Sequence, residues 1–211
     1  MRRKPDVTVA AILKRAVWMA RDENAAAMRT LLFILGLLLT QPTPAGGFET
    51  DICFGYSCYQ QVGAVYSDDD AGQLRAQLAG AADAAQERVL IGQAIGRMYA
   101  IAAAQTPIWR DRGRNSAEER GLDGAMDCID HSTNTDRFLR KLADLRALRF
   151  HRPDERRLRF AFLVFGEHWT ATVIENEGGA VYAVDAWFFD PGTPAAVVPL
   201  QQWRAGFDPG T

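Results

Sequence analysis

Apolar and polar positions along the chain fall into three successive patterns. From Ala71 to Ala104 an alanine-rich stretch carries Ile91, Ile95 and Met98 at i, i+4 and i+7, the spacing of one buried helical face. Asp70 is placed to cap its start and Gly80 to interrupt it. From Met126, the residues Cys128, Ser132, Thr135, Leu139, Leu142 and Leu145 recur every three or four positions, which predicts a further helix. Asp127 is its N-cap and Asp130 completes an imperfect capping box, so Cys128 falls in the first turn. After Pro153 the composition turns to strand over Leu158 to Phe165, Trp169 to Ile174 and Val181 to Phe188. Gly178 and Gly179 separate the last two runs, which predicts an antiparallel hairpin. Asp190-Pro191-Gly192 then reads as a turn, Val197-Val198 as a short strand, and Trp203 as packing for the C-terminal end. The expected class is α+β.

Between the helical segments, residues 105 to 124 form a polar stretch with Pro107, Trp109, Gly113, Asn115 and Gly121 among alternating arginines and aspartates. Loops of that length in a compact domain are often lids or substrate-contacting segments, and ordinary surface loop is the alternative.

The run from Leu31 to Leu39, preceded by Arg29 and followed by Pro42, Thr43, Pro44 and Ala45, reads as a secretory signal. It is far short of the ~20 residues of a bilayer-spanning helix, so no stable membrane span is expected, with an uncleaved signal anchor as the alternative. Residues 1 to 47 are therefore expected to be leader and signal peptide, with Met28 or Met19 as a candidate true start. Residues 48 to 211 are expected to be one domain, exported to the periplasm or secreted. A formal net charge of -2 exerts no general pull toward nucleic acid. The basic stretch from Arg137 to Arg159 reads as a solvated face balanced by Asp136, Asp144, Asp154 and Glu155, with contact to anionic cell-envelope material as the alternative.

Export changes the meaning of the three cysteines. Cys53 and Cys58, in Cys-Phe-Gly-Tyr-Ser-Cys, are natural disulfide partners in an oxidising compartment, which leaves Cys128 as the odd thiol. A thiol in the first turn of a helix gains from unpaired backbone N–H groups and the helix dipole, but Asp127 and Asp130 oppose its ionisation, so a cationic partner is needed. Of the three histidines, His168 opens a strand that holds its ring in place; His131 lies near Cys128 with nothing fixed to orient it, and His151 sits in a charged loop. Asp185 is an acidic residue inside an apolar strand, costly unless it pairs or accepts hydrogen bonds. A four-residue loop centred near Glu177 sets His168 and Asp185 opposite or diagonal on one face, whereas a two-residue turn at Gly178-Gly179 slides them apart. With the first register, Asp185 fixes the His168 tautomer, His168 moves the thiol proton and Cys128 carries the acyl group. The Cys128 N–H is half of an oxyanion hole; Trp109, Asn115 and Asn134 are candidates for the rest.

A helix-borne cysteine in Asp127-Cys128-Ile129-Asp130, then His168-Trp169 opening a strand, then Val184-Asp185 on the next, resembles the transglutaminase-like branch of the papain-like cysteine hydrolases. It is similar in particular to bacterial transglutaminase-like cysteine peptidases. The resemblance covers residues 126 to 188. It implies a cysteine-bearing helix packed on an antiparallel sheet and catalysis by cysteine, histidine and aspartate. A peptide or protein amide is the expected substrate, and no cofactor or metal is expected. Two other readings stay open: a disulfide-stabilised exported binding domain without catalysis, and a metal site built from Asp127, Cys128, His131 and His168.

Overall fold

The computed structural model describes residues 46–115, 117–160 and 167–210. The leader and signal segment expected over residues 1 to 47 lies outside the described residues except at its last two positions, and residues 161 to 165 of the first expected strand lie outside them as well. The described residues form an α+β unit with two antiparallel sheets. Strands β1 (Phe48–Phe54) and β2 (Gln60–Tyr66) make a hairpin closed by the Cys53–Cys58 disulfide. Helices α1 (Asp68–Ala79) and α2 (Ala84–Ala103) follow, then α3 (Cys128–Asp144). Strands β3 (His151–Phe160), β4 (Glu167–Glu175), β5 (Val181–Asp185) and β6 (Ala196–Pro199) form a second sheet in sequence order, and α4 (Leu200–Arg204) ends the fold.

The alanine-rich stretch forms two helices. Ser67, not Asp70, is the N-cap of α1; Asp70 occupies the third helical position and reaches back to the Ser67 N–H at 3.0 Å. Asp83 caps α2, whose Ile91, Ile95 and Met98 are fully buried. Gly96 lets the chain at Thr193 pass so close that a Cβ there would stand 2.7 Å from the Thr193 carbonyl oxygen.

Helix α3 places Phe138, Leu139 and Leu142 in the main core beside Tyr66, Tyr99, Ala171, Val173 and Val184. Alternation along the strands then sends Ala183 to the opposite face, where Leu200 and Trp203 cover it. His168, Thr170 and Thr172 share that opposite side of β4 by the same alternation. The central helix therefore packs on one face of the sheet and α4 on the other.

β3 begins seven residues before the expected Leu158, at His151. Its first half reads as a charged loop because a buried carboxylate, not apolar alternation, holds it. Fully buried Glu87 accepts from Arg149 N at 2.7 Å, Phe150 N at 2.9 Å and His151 Nδ1 at 2.8 Å. His151 is thus an internal tie between α2 and β3. Among the described residues no helix is long and apolar enough to cross a membrane.

Candidate active site

The hairpin between β4 and β5 has the register that sets His168 beside Asp185. Ile174 faces Val181, Ala171 faces Val184, and Glu175 N donates to Ala180 O at 2.8 Å, which closes a four-residue loop over residues 176 to 179. Continued by one position, that register sets Asp185 opposite Thr170, so His168, two residues along β4, lies diagonal to Asp185 on the same face. His168 Nε2 donates to Asp185 Oδ2 across 2.7 Å.

Asp185 is buried, and all its partners are donors. Trp203 Nε1 shares Oδ2 at 2.8 Å and Trp187 N reaches Oδ1 at 3.1 Å. The three donors together fix the plane of the carboxylate. Since Nε2 carries the hydrogen given to Asp185, Nδ1 is the nitrogen of the neutral ring left to accept a proton. The rings of Trp187, Phe188 and Trp203 lie 4.7, 5.6 and 5.6 Å from the imidazole, so it has little freedom to turn. Trp203 was legible in the sequence only as packing; its indole N–H is a polar partner of the site.

Cys128 stands at the first helical position of α3, with Asp127 as N-cap. The Asp127 carboxylate takes the N–H groups of Ile129 at 3.0 Å and Asp130 at 2.9 Å, so the Cys128 N–H is not used by this cap. The thiol donates to Glu167 O at 3.7 Å, and the Trp169 backbone N–H also interacts with the sulfur. A carbonyl and an N–H two residues apart point to the same edge of a strand. The last β4–β5 pair is Ala171 with Val184, so Glu167 to Trp169 run past the paired part of β5. The sulfur thus meets the backbone on both sides of His168. Its hydrogen bond goes to that backbone and not to the imidazole.

Burial pushes the Cys128 thiol up to about 11; the Trp169 N–H acts against this, and the carboxylates of Asp127, Asp185 and Glu167 add to it. The resting group at neutral pH is a thiol.

The residues around Cys128 are held by an unusual loop. Gly55, Tyr56, Ser57 and Cys58 all have left-handed backbone angles, with φ of 82, 70, 57 and 57°. Each non-glycine residue in such a turn costs about 1–2 kcal/mol. The turn aims its N–H groups at the two acidic residues that flank Cys128: Tyr56 N and Cys58 N reach Asp130 at 2.8 and 2.6 Å, and Ser57 N reaches Asp127 at 2.9 Å. Burial and the Asp127 charge push the Asp130 carboxyl up to about 6, against the pull of these N–H groups.

Two expectations need correction. Asn134 and Asn115 are not free to complete an oxyanion hole: Asn134 pairs with the Cys53 backbone at 2.7 and 2.8 Å, and Asn115 donates to Asp111 at 2.5 Å. Trp109 lies exposed under the Arg110 guanidinium. His131 does have a group that orients it, since its Nε2 donates to buried Asp111 at 3.0 Å. Asp127 is held by backbone N–H groups and His131 by Asp111, and among the described residues no three His, Cys, Asp or Glu side chains are grouped so as to hold a metal ion.

The polar stretch joins the two halves of the site. Asp111 also accepts from Met126 N at 2.7 Å, two residues before Cys128, while Arg114 N donates to Trp187 O at 2.7 Å. Between them Gly113 passes so close to Phe188 that a Cβ would stand 2.5 Å from its carbonyl oxygen. Gly113→Ala is expected to cost about 1–3 kcal/mol from overpacking. Chemical denaturation checks this, and an unchanged midpoint counts against the close contact.

Comparison with family models, with curated proteins and with solved structures found no match to this chain.

Proposed function

We propose that the chain is a cysteine-dependent acyl-transfer enzyme, a peptidase, amidase or transglutaminase-like protein, built on a papain-like core and acting in an exported compartment. The observation that carries the reading is the 2.7 Å hydrogen bond from His168 to buried Asp185, formed next to the backbone segment that receives the Cys128 thiol. An imidazole oriented by a carboxylate, beside a helix-borne thiol, is the arrangement that nucleophilic acyl transfer requires.

The resting thiol dictates the order of events. Because the sulfur starts protonated, its proton leaves for His168 Nδ1 as the sulfur forms its bond to the acyl carbon of an amide. The displaced carbonyl electrons collect on oxygen, toward which the Cys128 N–H can donate. The imidazolium, stabilised by Asp185, then protonates the departing amine as the C–N bond breaks, leaving a thioester on Cys128. Water or a second amine, deprotonated by His168, releases the acyl group and restores the thiol.

A peptide or protein amide fits this chemistry as acyl donor. Labelling with an electrophilic activity probe tests the reading. Wild type is expected to form one covalent adduct at Cys128, Cys128→Ala none, and His168→Ala about 10²-fold less than wild type at the same time point. Equal labelling of wild type and His168→Ala would remove the imidazole from the mechanism. One observation favours the second reading, an exported binding domain without catalysis: the thiol is held by a backbone carbonyl and pushed up to about 11. That reading expects wild-type labelling only on unfolding.

A further inference from the structure

We infer that the disulfide-closed turn from Cys53 to Cys58 is a positioning element for the Cys128 thiol, acting through Asp127 and Asp130. Three backbone N–H groups of that turn end on these two carboxylates. The same carboxylates build the first turn of α3: Asp127 takes the N–H groups of Ile129 and Asp130, and Asp130 takes the N–H of Asp127 at 3.1 Å. Cys128 lies between the two acidic residues, so the turn, the cap and the nucleophile form one continuous hydrogen-bonded unit. A further bond from Gly55 N to Ala125 O at 2.8 Å fixes the chain that enters the helix.

This arrangement has a chemical logic. A nest of successive N–H groups is an anion-binding concavity. Here it fixes the two carboxylates on either side of a sulfur that must become anionic in the reaction. The left-handed turn that presents the N–H groups is disfavoured in an open chain, and the Cys53–Cys58 bond is the covalent constraint that keeps it closed. Without it the N–H groups leave the carboxylates, the first turn of α3 frays, and the thiol leaves its place against Glu167 and Trp169. Water then reaches the sulfur, which relieves the burial that raises its pKa, while the geometry needed for acyl transfer is lost. The sulfur becomes easier to alkylate and worse as a nucleophile toward a bound acyl donor.

The inference rests on the catalytic reading only for its turnover arm. Two variants separate the constraint from the carboxylate: C53S/C58S opens the crosslink, and Asp130→Asn keeps it but sets an amide NH₂ against the N–H donors. Asp127, Asp185 and Glu167 are the carboxylates that bear most on the thiol, so loss of the Asp130 charge alone predicts little change. Cys128 alkylation by iodoacetamide is followed against pH, with circular dichroism to show that the fold persists and p-nitrophenyl acetate hydrolysis as turnover. In both variants alkylation at about pH 8 is expected to accelerate about tenfold, the change that goes with a one-unit fall in thiol pKa, while ester turnover falls. If C53S/C58S does not fold, Asp130→Asn decides the matter, because its crosslink is intact. An alkylation profile in folded Asp130→Asn identical to wild type overturns the inference. Shifted alkylation profiles in a protein that hydrolyses no ester, wild type included, leave the positioning role standing and count against catalysis.

Discussion

Asp185→Asn is expected to lower acyl-transfer turnover by about 10⁴-fold, the scale set by the corresponding substitution in other triads. The carboxylate accepts from His168 Nε2, Trp203 Nε1 and Trp187 N, and none of these can accept in return from an amide NH₂ without a change of tautomer or a broken bond. If the asparagine oxygen keeps the indole, its NH₂ confronts either the Trp187 amide or the imidazole. The imidazole is the one partner able to adapt, by moving its proton to Nδ1. That puts a donor where the mechanism needs an acceptor, and the thiol proton has nowhere to go. The substitution also leaves a buried donor partly unsatisfied, at a cost of about 1–3 kcal/mol, so the variant is expected to fold with a lowered midpoint. Turnover against pH, together with the nitrogen chemical shifts of His168, checks both halves. Turnover within about tenfold of wild type, with the ring tautomer unchanged, would show that Asp185 is a structural acceptor for Trp203 and Trp187 rather than a partner in proton transfer.

Periodicity was informative where burial is apolar and one-sided. Helix α3 and its Asp127 cap are readable because Phe138, Leu139 and Leu142 repeat along one face and an acidic residue precedes the first turn. For the β4–β5 hairpin the sequence restricts the face shared by His168 and Asp185 through their odd separation but leaves two loop registers open, and the bond from Glu175 N to Ala180 O decides between them. Periodicity fails where polar groups do the holding. The β1–β2 hairpin carries Glu49, Asp51, Gln60 and Gln61 among its apolar residues, and one edge is closed by the distant Asn134 amide, so no local pattern announces it. The same holds for His131: its orienting group, Asp111, is twenty residues away in a stretch with no apolar rhythm, and only the folded chain brings the two together.

Glu87→Ala is expected to destabilise the fold by about 3 kcal/mol, the scale of leaving a buried donor and two part-buried donors without their acceptor. Glu87 has no solvent exposure, and its two oxygens take Arg149 N, Phe150 N and His151 Nδ1. Removing it leaves one buried donor, His151 Nδ1, and two part-buried backbone N–H groups with no acceptor where α2 meets the start of β3. Arg88 beside it binds Glu175 on β4 at 3.0 Å, so the loosened region extends across two strands. Although burial alone would raise the Glu87 carboxyl, the hydrogen bonds from His151 and the two backbone N–H groups prevail, and the net direction is below the ordinary glutamate range. The folded state therefore binds this proton less readily than the unfolded chain. Its contribution is complete above the unfolded value near ~4.3 and is lost as pH falls through the lower folded value. Acid unfolding of Glu87→Gln should accordingly be shallower than that of wild type, because the variant has no proton to take up there, and its stability at neutral pH should still fall, since an amide NH₂ cannot accept from three donors. Denaturant midpoints measured across the acid range separate these effects, and an unchanged midpoint for Glu87→Ala at neutral pH would mean that Arg149 to His151 are held by something other than this carboxylate.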